Sequence, residues 1–516
     1  MPDAEAILQG LYLLLTWQNL LALMVGFSLG IVVGSIPGLV ESTFLAIVLP
    51  FTLYLDVWTA LFFMTAVYVS AEVAGSVPAI LLNMPGTPGA SATTFDGYAL
   101  TRKGRSGQAI GVSLVSSSIG TTAGALMFIG FGPVFAAFAL NFGSPEMFML
   151  GVFGMTAVGS LTGADPLRGI MSAVLGLLLA TTGLDLFEAV PRAHFGFLEL
   201  YDSLPILPAL LGLFGFSELL ALTARARIVT ADVAPKARAG AALEGMRLAI
   251  SHPLVTARSA LIGMIIGIVP GAGATTANVV SYGQAKQWSK RPAAFGKGAY
   301  EGVIATDTSN SSVVPGALVP TLTLGIPGSG TAVIMLAALM MQGVRPGPAF
   351  FADYGVEAAA ITWSLLACAG LILIVCLPLA RVFANIVFLP LASLIPFICL
   401  ACIVGVFSAR GYLIDIGIMV IFGLLGFVVR RYGYSPVALL LGLILGPLLE
   451  QNFHRTLLVG GPALFFTKPI ALTLVLLSAL SLCLPLLLKG LTARDGRQAS
   501  GRANAVARAN DGEGAA

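Results

Sequence analysis

The sequence is poor in charged residues. Lys, Arg, Asp and Glu together make up 10% of its 516 residues, whereas hydrophobic residues make up 57%. A soluble globular protein carries about 25% charged residues, so this composition cannot supply a water-soluble surface. Uncharged stretches such as residues 11–33 and 361–379 have about the 20 residues that a helix needs to cross a bilayer. The composition therefore predicts an all-α integral membrane protein.

The residues of many catalytic sites are also scarce. The three histidines are far apart in the chain, and the five cysteines all lie in apolar runs, where they act as small hydrophobic residues. Cys399 and Cys402 form a C-x-x-C spacing, but without the polar surroundings of an activated thiolate. Lys297 in FGKG is followed by Gly, so the phosphate-binding G-x-x-x-x-G-K-[ST] motif is absent. We predict that the chain is not an enzyme and binds no metal cofactor.

Glycine and proline, in contrast, are abundant, with 60 and 29 residues, and some of them form repeated motifs. GIVVGSIPG at residues 30–38 recurs as GMIIGIVPG at residues 263–271, an offset of 233 positions. PAILLNMPG at residues 78–86 recurs as PTLTLGIPG at residues 320–328, an offset of 242 positions. Chance matches are common in a glycine-rich chain, but the shared order and similar offsets favour an internal duplication.

The duplication divides the chain into two membrane repeats. We predict a first repeat at residues 1–223, a basic cytoplasmic linker at residues 224–258 and a second repeat at residues 259–490. The polar segment 491–516 is predicted to be a disordered cytoplasmic tail. The apolar runs between the breaks correspond to about 11 or 12 spans or hairpin arms. This number predicts a polytopic helical bundle with broken or re-entrant helices.

Two further basic loops bear on the topology of the repeats. RKGR at residues 102–105 follows the second motif of the first half, whereas a lysine-rich loop at residues 286–297 follows the first motif of the second half. Because short basic loops mark the cytoplasmic face, equivalent loops of the two halves then lie on opposite sides of the membrane. The sequence therefore predicts inverted-topology repeats, as in many secondary transporters.

The segment between Arg258 and Lys286 is too short for two full spans but long enough for two half-helices. If both of its ends are cytoplasmic, residues 259–285 form a re-entrant hairpin with its tip at residues 270–273. A single broken span with basic residues at both ends is the alternative. We take the hairpin as the expectation.

Each Pro-Gly pair interrupts an apolar segment and leaves backbone N–H and C=O groups without helical partners. In lipid each such group costs several kcal/mol, so the breaks must face protein or a water-filled cavity. Free N–H groups and hydroxyls suit an anion, and free carbonyls suit a small cation. The alternative is that these small residues only allow close helix packing. The predicted substrate-binding residues are Pro37, Gly38, Ser42, Thr43, Asn83, Pro85, Gly86, Thr87, Gly89, Gly271, Gly273, Thr275, Pro327, Gly328, Ser329 and Thr331.

Four polar side chains near the breaks are candidates for ion coupling. Asp307 and Asn310 precede the last break, and Glu41 and Glu72 lie near the motifs of the first half. An acid inside the membrane is costly and therefore a functional candidate. Exposure in a loop or a vestibule is the alternative for each acid. The coupling ion is expected to be Na⁺ or H⁺.

Three segments resemble the large membrane subunit of the tripartite tricarboxylate transporters. They are GSIPGL at residues 34–39, YVSAEVAGSVPAILLNMPGTPGASATTFDGYALTRKG at residues 68–104 and the motif-rich segment 301–348. The similarity extends over nearly the whole chain except the tail. It implies functional roles for the motif residues Pro37, Gly38, Asn83, Pro85, Gly86, Asn310, Pro327 and Gly328.

The sequence also departs from the family pattern. Glu41 and Glu72 stand where small or aromatic residues are more usual, and Asp307 replaces a more usual Glu. The resemblance implies a permease subunit of the bacterial inner membrane that works with a small four-helix membrane subunit and a periplasmic solute-binding protein. Its expected cargo is a citrate-like di- or tricarboxylate, taken up with an ion gradient. A passive anion channel and a scaffold subunit without its own substrate site are the alternatives.

Overall fold

The computed structural model of the chain describes residues 4–162, 165–185, 187–188, 190–223, 240–380 and 394–483. The predicted tail at residues 491–516 and residues 224–239 of the predicted linker lie outside these ranges. In the described part of the chain, the strands are the two-residue segments Gly183–Leu184 (β1) and Pro191–Arg192 (β2), which pair antiparallel. The remaining regular structure there is helical, so the all-α prediction is confirmed.

The first half forms a series of helices that are interrupted at the two predicted breaks. They are α1 (Ala4–Leu14), α2 (Trp17–Ser35), α3 (Glu41–Thr52), α4 (Val57–Ala74), α5 (Ser76–Leu82), α6 (Thr93–Arg102), α7 (Ser106–Ala139), α8 (Ser144–Thr162), α9 (Pro166–Ala180), α10 (Ile206–Leu210) and α11 (Ser217–Thr223). A π-helical segment, Leu211–Phe216, joins α10 to α11.

The second half begins with α12 (Ala241–Ile250) and α13 (Pro253–Ile268). It continues with α14 (Gly273–Trp288), α15 (Tyr300–Leu324), α16 (Gly330–Met341), α17 (Phe350–Asp353), α18 (Gly355–Leu371), α19 (Leu394–Arg410), α20 (Leu413–Arg431), α21 (Pro436–Gly460), α22 (Leu464–Thr467) and α23 (Pro469–Cys483). The predicted boundary at residue 259 falls inside α13, because Pro253 occupies the first turn, where a helix tolerates proline.

Within the described ranges, six helices are long and apolar enough to cross a membrane. They are Trp17–Ser35, Val57–Leu82, Ser106–Ala139, Gly355–Cys376, Leu413–Arg431 and Pro436–Gly460. The pair α12 and α13, bent by 81°, is a broken span or a re-entrant element, and several shorter apolar helices accompany it. The polytopic bundle is therefore confirmed, and many of the predicted arms are short helices and not full spans.

Two buried helices, α4 and α15, form the centre of the bundle. Helix α2 packs along α4, and α13 packs along α15. A Cβ atom added at Gly30 would lie 2.0 Å from Ser70 Oγ, and one added at Gly263 would lie 2.1 Å from Ser312 Oγ. These are motif glycines in both halves, so the first motif of each half brings its helix into close backbone contact with a central helix.

The second motif of each half ends its helix in the same way. Asn83 after α5 has φ 59° and Gly325 after α15 has φ 70°, a left-handed conformation that is common at helix C-termini. Each is followed by a matching cap hydrogen bond, from Met84 N to Pro78 O and from Ile326 N to Pro320 O. The two halves thus share their local backbone geometry, while the inversion of their topology stays a prediction.

The segment from α13 to α14 is a hairpin. The guanidinium of Arg258 in α13 lies 4.6 Å from the centroid of the Trp288 ring at the end of α14. Because the outer ends of the two helices lie side by side, the structure has the expected hairpin and not the single broken span. At one end of the bundle Lys103 Nζ also donates a hydrogen bond to Lys297 O, so the two basic loops meet there.

Candidate functional site

The two central helices carry a buried polar face. Tyr68, Glu72 and Ser76 are spaced four residues apart, which places them on one side of the continuous helix α4–α5. Asp307 and Asn310 lie one turn apart on α15. Glu72 is 3% exposed, and Asp307 and Asn310 are each 0% exposed. Polar groups of both halves are therefore collected inside an otherwise apolar bundle.

The larger group, which we call the central cluster, consists of Glu41, Tyr68, Glu72, Thr87, Asn310, Ser329 and Thr331. Thr331 Oγ1 donates to Glu41 Oε1 at 2.9 Å, and Thr87 Oγ1 donates to Glu72 Oε2 at 2.9 Å. The hydroxyls of Tyr68 and Ser329 lie 2.7 Å apart. These hydrogen bonds join α3 and α4 of the first half to the start of α16 in the second half.

Gly89 brings the remaining break into the central cluster. A Cβ atom at Gly89 would lie 2.1 Å from Asn310 Oδ1, 2.8 Å from Glu72 Oε2 and 2.8 Å from Ala274 Cβ. Ala274 belongs to the first turn of α14, directly after the hairpin tip. Only glycine allows this approach, so the start of α14 lies beside the central cluster.

A second group, which we call the Asp307 cage, consists of Ser76, Thr93, Thr306 and Asp307. Ser76 Oγ donates to Asp307 Oδ1 at 2.8 Å, and Thr93 Oγ1 donates to the same oxygen at 2.6 Å. The hydroxyl oxygens of Thr93 and Thr306 lie 3.0 Å apart. The Ser113 hydroxyl is a further neighbour of this carboxyl group, although among the described residues no hydrogen bond of ordinary geometry reaches Asp307 Oδ2.

The buried acids of the chain have different kinds of partners. Asp415 Oδ2 lies 3.6 Å from Arg410 Nε, and Glu218 forms an ion pair with Arg430. Asp96 and Glu146 instead accept hydrogen bonds from backbone amides. Glu41, Glu72 and Asp307 have hydroxyl and amide partners but, within the described ranges, no basic side chain within ion-pairing distance. A buried carboxylate without a counter-charge is costly, so these positions suit a proton or a small cation.

The three acids are not exposed, contrary to the alternative of a loop or vestibule position. Glu41 is 4% exposed, and Asp307 lies in the middle of α15 with its side chain enclosed by three helices. Of the four predicted ion-coupling residues, Glu41, Glu72 and Asn310 meet in the central cluster, and Asp307 forms the neighbouring cage. Their convergence depends on contacts between residues far apart in the chain.

The predicted substrate-binding residues separate into two sets. Thr87, Gly89, Ser329 and Thr331 reach the central cluster. The others lie around it: Pro37, Thr43 and Pro327 are buried, Gly38, Ser42 and Gly273 are half-buried, Gly271 packs against α8, and Asn83, Pro85 and Thr275 are exposed.

Gly86 and Gly328 allow close helix packing. The sequence analysis had instead predicted that the backbone groups at these breaks are free to bind a ligand. Gly86 N donates to Gly75 O at 3.0 Å, and Gly328 N lies 3.4 Å from Thr321 Oγ1, its acceptor. Their amides are thus already satisfied. A Cβ atom at Gly86 would lie 2.0 Å from Gly34 O, and one at Gly328 would lie 2.5 Å from Gly267 O. In each half these glycines hold the second motif against the first.

Tyr68, Ser76 and Thr306 were not among the predicted residues. The signal for the first two was present, because Tyr68, Glu72 and Ser76 form the polar face of a helix that is otherwise apolar. Thr306 is part of the polar run TDTSNSS, in which composition alone cannot rank one hydroxyl above another. A helical-face analysis of α4 would have identified Tyr68 and Ser76.

Comparison with known proteins gives one family. The model of the Tripartite tricarboxylate transporter TctA family matches residues 20–441. An Agrobacterium vitis protein described as "Uncharacterized 52.8 kDa protein in TAR-I ttuC' 3'region" is 33% identical over 467 residues, which cover 89% of this chain and 92% of that protein. A second A. vitis protein, from the TAR-II ttuC' 3'region, is 34% identical over 231 residues, or 44% of this chain and 94% of that protein. No solved structure is significantly similar to the chain.

Proposed function

Because this chain belongs to the Tripartite tricarboxylate transporter TctA family, we propose that it is the permease subunit of a binding-protein-dependent secondary active transporter. It imports small di- or tricarboxylates and couples their uptake to a gradient of Na⁺ or H⁺. Its proposed partners are a small four-helix membrane subunit and a periplasmic solute-binding protein. The proposed location is the bacterial inner membrane.

The observation that carries this proposal is that residues next to all four helix breaks lie in the central cluster or beside it. The Glu41–Thr331 and Tyr68–Ser329 hydrogen bonds run between the two halves of the chain. A relative movement of the halves would therefore break or form contacts at the site itself. Transporters with broken helices bind their substrate and coupling ion at such a junction.

The groups around the central cluster suit an anion once the acids are neutralised. Helix α16 starts at Gly330 with Ser329 as its N-cap, and the Ser329 hydroxyl accepts a hydrogen bond from Ala332 N at 3.1 Å. The positive end of the α16 dipole therefore points toward the cluster. The hydroxyls of Thr87 and Thr331 each have one proton, which they donate to Glu72 and Glu41. They can donate to a substrate carboxylate only after they release these acids.

Glu41 and Glu72 supply a physical reason for ion coupling. Like charges a few ångströms apart in a low-dielectric interior repel each other strongly, so an anionic substrate cannot bind beside two ionised carboxylates. A proton or cation that neutralises the acids removes this repulsion. Binding of the ion then raises the affinity for the carboxylate, and by linkage the carboxylate raises the affinity for the ion.

The same acids argue against a passive anion channel. Pores that conduct anions are lined with basic groups, and rings of acidic groups select cations. The central cluster contains two acids and no basic residue among those that define it. A carrier that neutralises its acids in each cycle fits this composition better than an open anion path.

The test is uptake of radiolabelled citrate into proteoliposomes that contain the chain, its small subunit and its binding protein. We expect accumulation above the external concentration under an imposed Na⁺ or H⁺ gradient, and its collapse with an ionophore that dissipates that gradient. Liposomes without the binding protein are the control. Downhill flux that ignores both the ionophore and the binding protein would establish the channel instead.

A further inference from the structure

We propose that the Asp307 cage is a Na⁺ site and that Na⁺ bound there is the coupling ion. This inference rests on the proposed transport function, which by itself leaves the ion and its position open. The cage offers oxygen atoms from four residues that hydrogen bonds link in a row: Ser76 to Asp307, Asp307 to Thr93, and Thr93 to Thr306. Small hard cations prefer oxygen ligands of this kind.

The number of oxygen atoms around the carboxyl group favours a cation over a proton. Asp307 Oδ1 already accepts hydrogen bonds from Ser76 and Thr93, and the Ser113 hydroxyl is a further neighbour of the carboxyl group. Oδ2 has no hydrogen bond of ordinary geometry among the described residues. A proton is shared between two oxygen atoms, whereas a cation is ligated by Oδ2 and by several hydroxyl oxygens at the same time.

The charge of the cage favours a monovalent ion. Asp307 is its one acid, and the described residues contain no group of three or more His, Cys, Asp or Glu side chains that could hold a metal. High-affinity divalent sites collect several carboxylates. One carboxylate with three neutral hydroxyls balances a single positive charge.

The position of the cage explains how the ion affects the substrate site. Ser76 precedes the first-half break motif and Thr93 follows it, whereas Thr306 and Asp307 belong to α15 of the second half. An ion that ligates all four residues clamps both flanks of the break against α15. Thr87 of the central cluster and the adjoining Gly89 lie within the clamped segment, so the ion orders the part of the chain that receives the carboxylate.

The experiment measures binding of radioactive sodium to the purified chain in detergent without substrate, with choline chloride holding the ionic strength constant. We expect wild-type protein to bind Na⁺, Asp307→Asn to lose binding, and Ser76→Ala and Thr93→Val each to weaken it about tenfold, since a hydrogen-bonding partner of a charge contributes about that factor. Thr65→Val is the matched control. Thr65 is a buried hydroxyl residue on α4, 242 positions before Asp307, and its Oγ1 has no partner among the described residues.

Wild-type affinity in Asp307→Asn, or no Na⁺ binding by wild-type protein, would overturn the assignment. If Asp307→Asn does not fold, wild-type affinity in both Ser76→Ala and Thr93→Val overturns it equally. The outcome separates this inference from the transport proposal. If the wild-type chain binds no Na⁺ but takes up carboxylate with a proton gradient, the site is refuted and the transport function stands. If Na⁺ binds to the wild-type chain and not to Asp307→Asn, but the wild-type chain takes up no carboxylate, the site is supported and the transport function is refuted.

Discussion

In the first half of the membrane core Gly30 packs against Ser70, and in the second half Gly263 packs against Ser312. The repeat offsets relate these two contacts to each other. The Glu41–Thr331 hydrogen bond is related in the same way to the approach of Ala274 to Gly89. The contacts of the two halves are therefore equivalent in position, although one is made by Glu41 and Thr331 and the other by the small residues Ala274 and Gly89.

The side chains differ where the chemistry is expected. By the same offsets Glu41 corresponds to Ala274, Glu72 to Val314, and Asp307 to Thr65. Each acid thus corresponds by sequence position to a neutral residue in the other half. The motif glycines are present in both halves because a larger residue would collide with the backbone of a neighbouring helix. The acids occur in only one half because a second buried charge without a partner would cost free energy. The comparison predicts that the repeat-related positions Ala274, Val314 and Thr65 form no second ion site.

The largest expected effect comes from filling the close contacts that both halves share. Gly86→Val and Gly328→Val should each reduce carboxylate uptake to background, because their Cβ atoms would lie 2.0 Å and 2.5 Å from carbonyl oxygens. Membrane insertion, measured by extraction and blotting, should persist. Gly417→Val is the control, since no described atom lies within 4 Å of its added Cβ. Wild-type uptake in either motif variant would contradict the equivalence of the two halves.

The next test moves an acid to its counterpart position. Glu41→Ala leaves the Thr331 hydroxyl without its acceptor and should strongly reduce uptake. The double variant Glu41→Ala/Ala274→Glu should not restore it, because the new carboxylate would face Gly89, which has no hydroxyl to donate. Its thermal unfolding temperature should also fall, since an unpaired buried charge costs about 3–5 kcal/mol. Recovery of uptake would show that the halves are interchangeable.

A milder change neutralises one acid without changing its shape. Glu72→Gln should lower the KM for the carboxylate about tenfold at low concentrations of the coupling ion, because one nearby negative charge is removed. The dependence of KM on Na⁺ and on pH should become shallower. Glu5→Gln, at an exposed position of α1, is the control. An unchanged ion dependence of KM would remove Glu72 from the coupling mechanism.

The smallest expected effect concerns the hairpin of the second half. Arg258→Ala should destabilise the chain by about 0.5–1 kcal/mol, the usual contribution of an exposed cation–π contact, here with the Trp288 ring. Thermal unfolding of Arg258→Ala, Trp288→Leu and the double variant measures the coupling between the two residues. Fully additive losses would show that the contact does not hold the ends of α13 and α14 together.

Local features of the sequence predicted local structure well. The Pro-Gly pairs predicted where helices break, and α5 and α15 end at Leu82 and Leu324, just before the pairs at residues 85–86 and 327–328. The free amides predicted at Gly86 and Gly328 were wrong, because Gly75 O and Thr321 Oγ1 accept their hydrogen bonds. Such partners are set by how the break folds back and not by the motif itself.

The sequence by itself determined that this protein lies in a membrane, where its helices break and to which family it belongs. Hydrophobicity and Pro-Gly chemistry act over a few neighbouring residues, so they can be read directly from the chain. Only the tertiary structure decided which polar groups meet. Thr331 reaches Glu41 and Ser76 reaches Asp307 although 290 and 231 positions separate them in the sequence, because the packing of α2 on α4 and of α13 on α15 brings the breaks together. That packing is a property of helix surfaces distant in sequence, which no local pattern specifies.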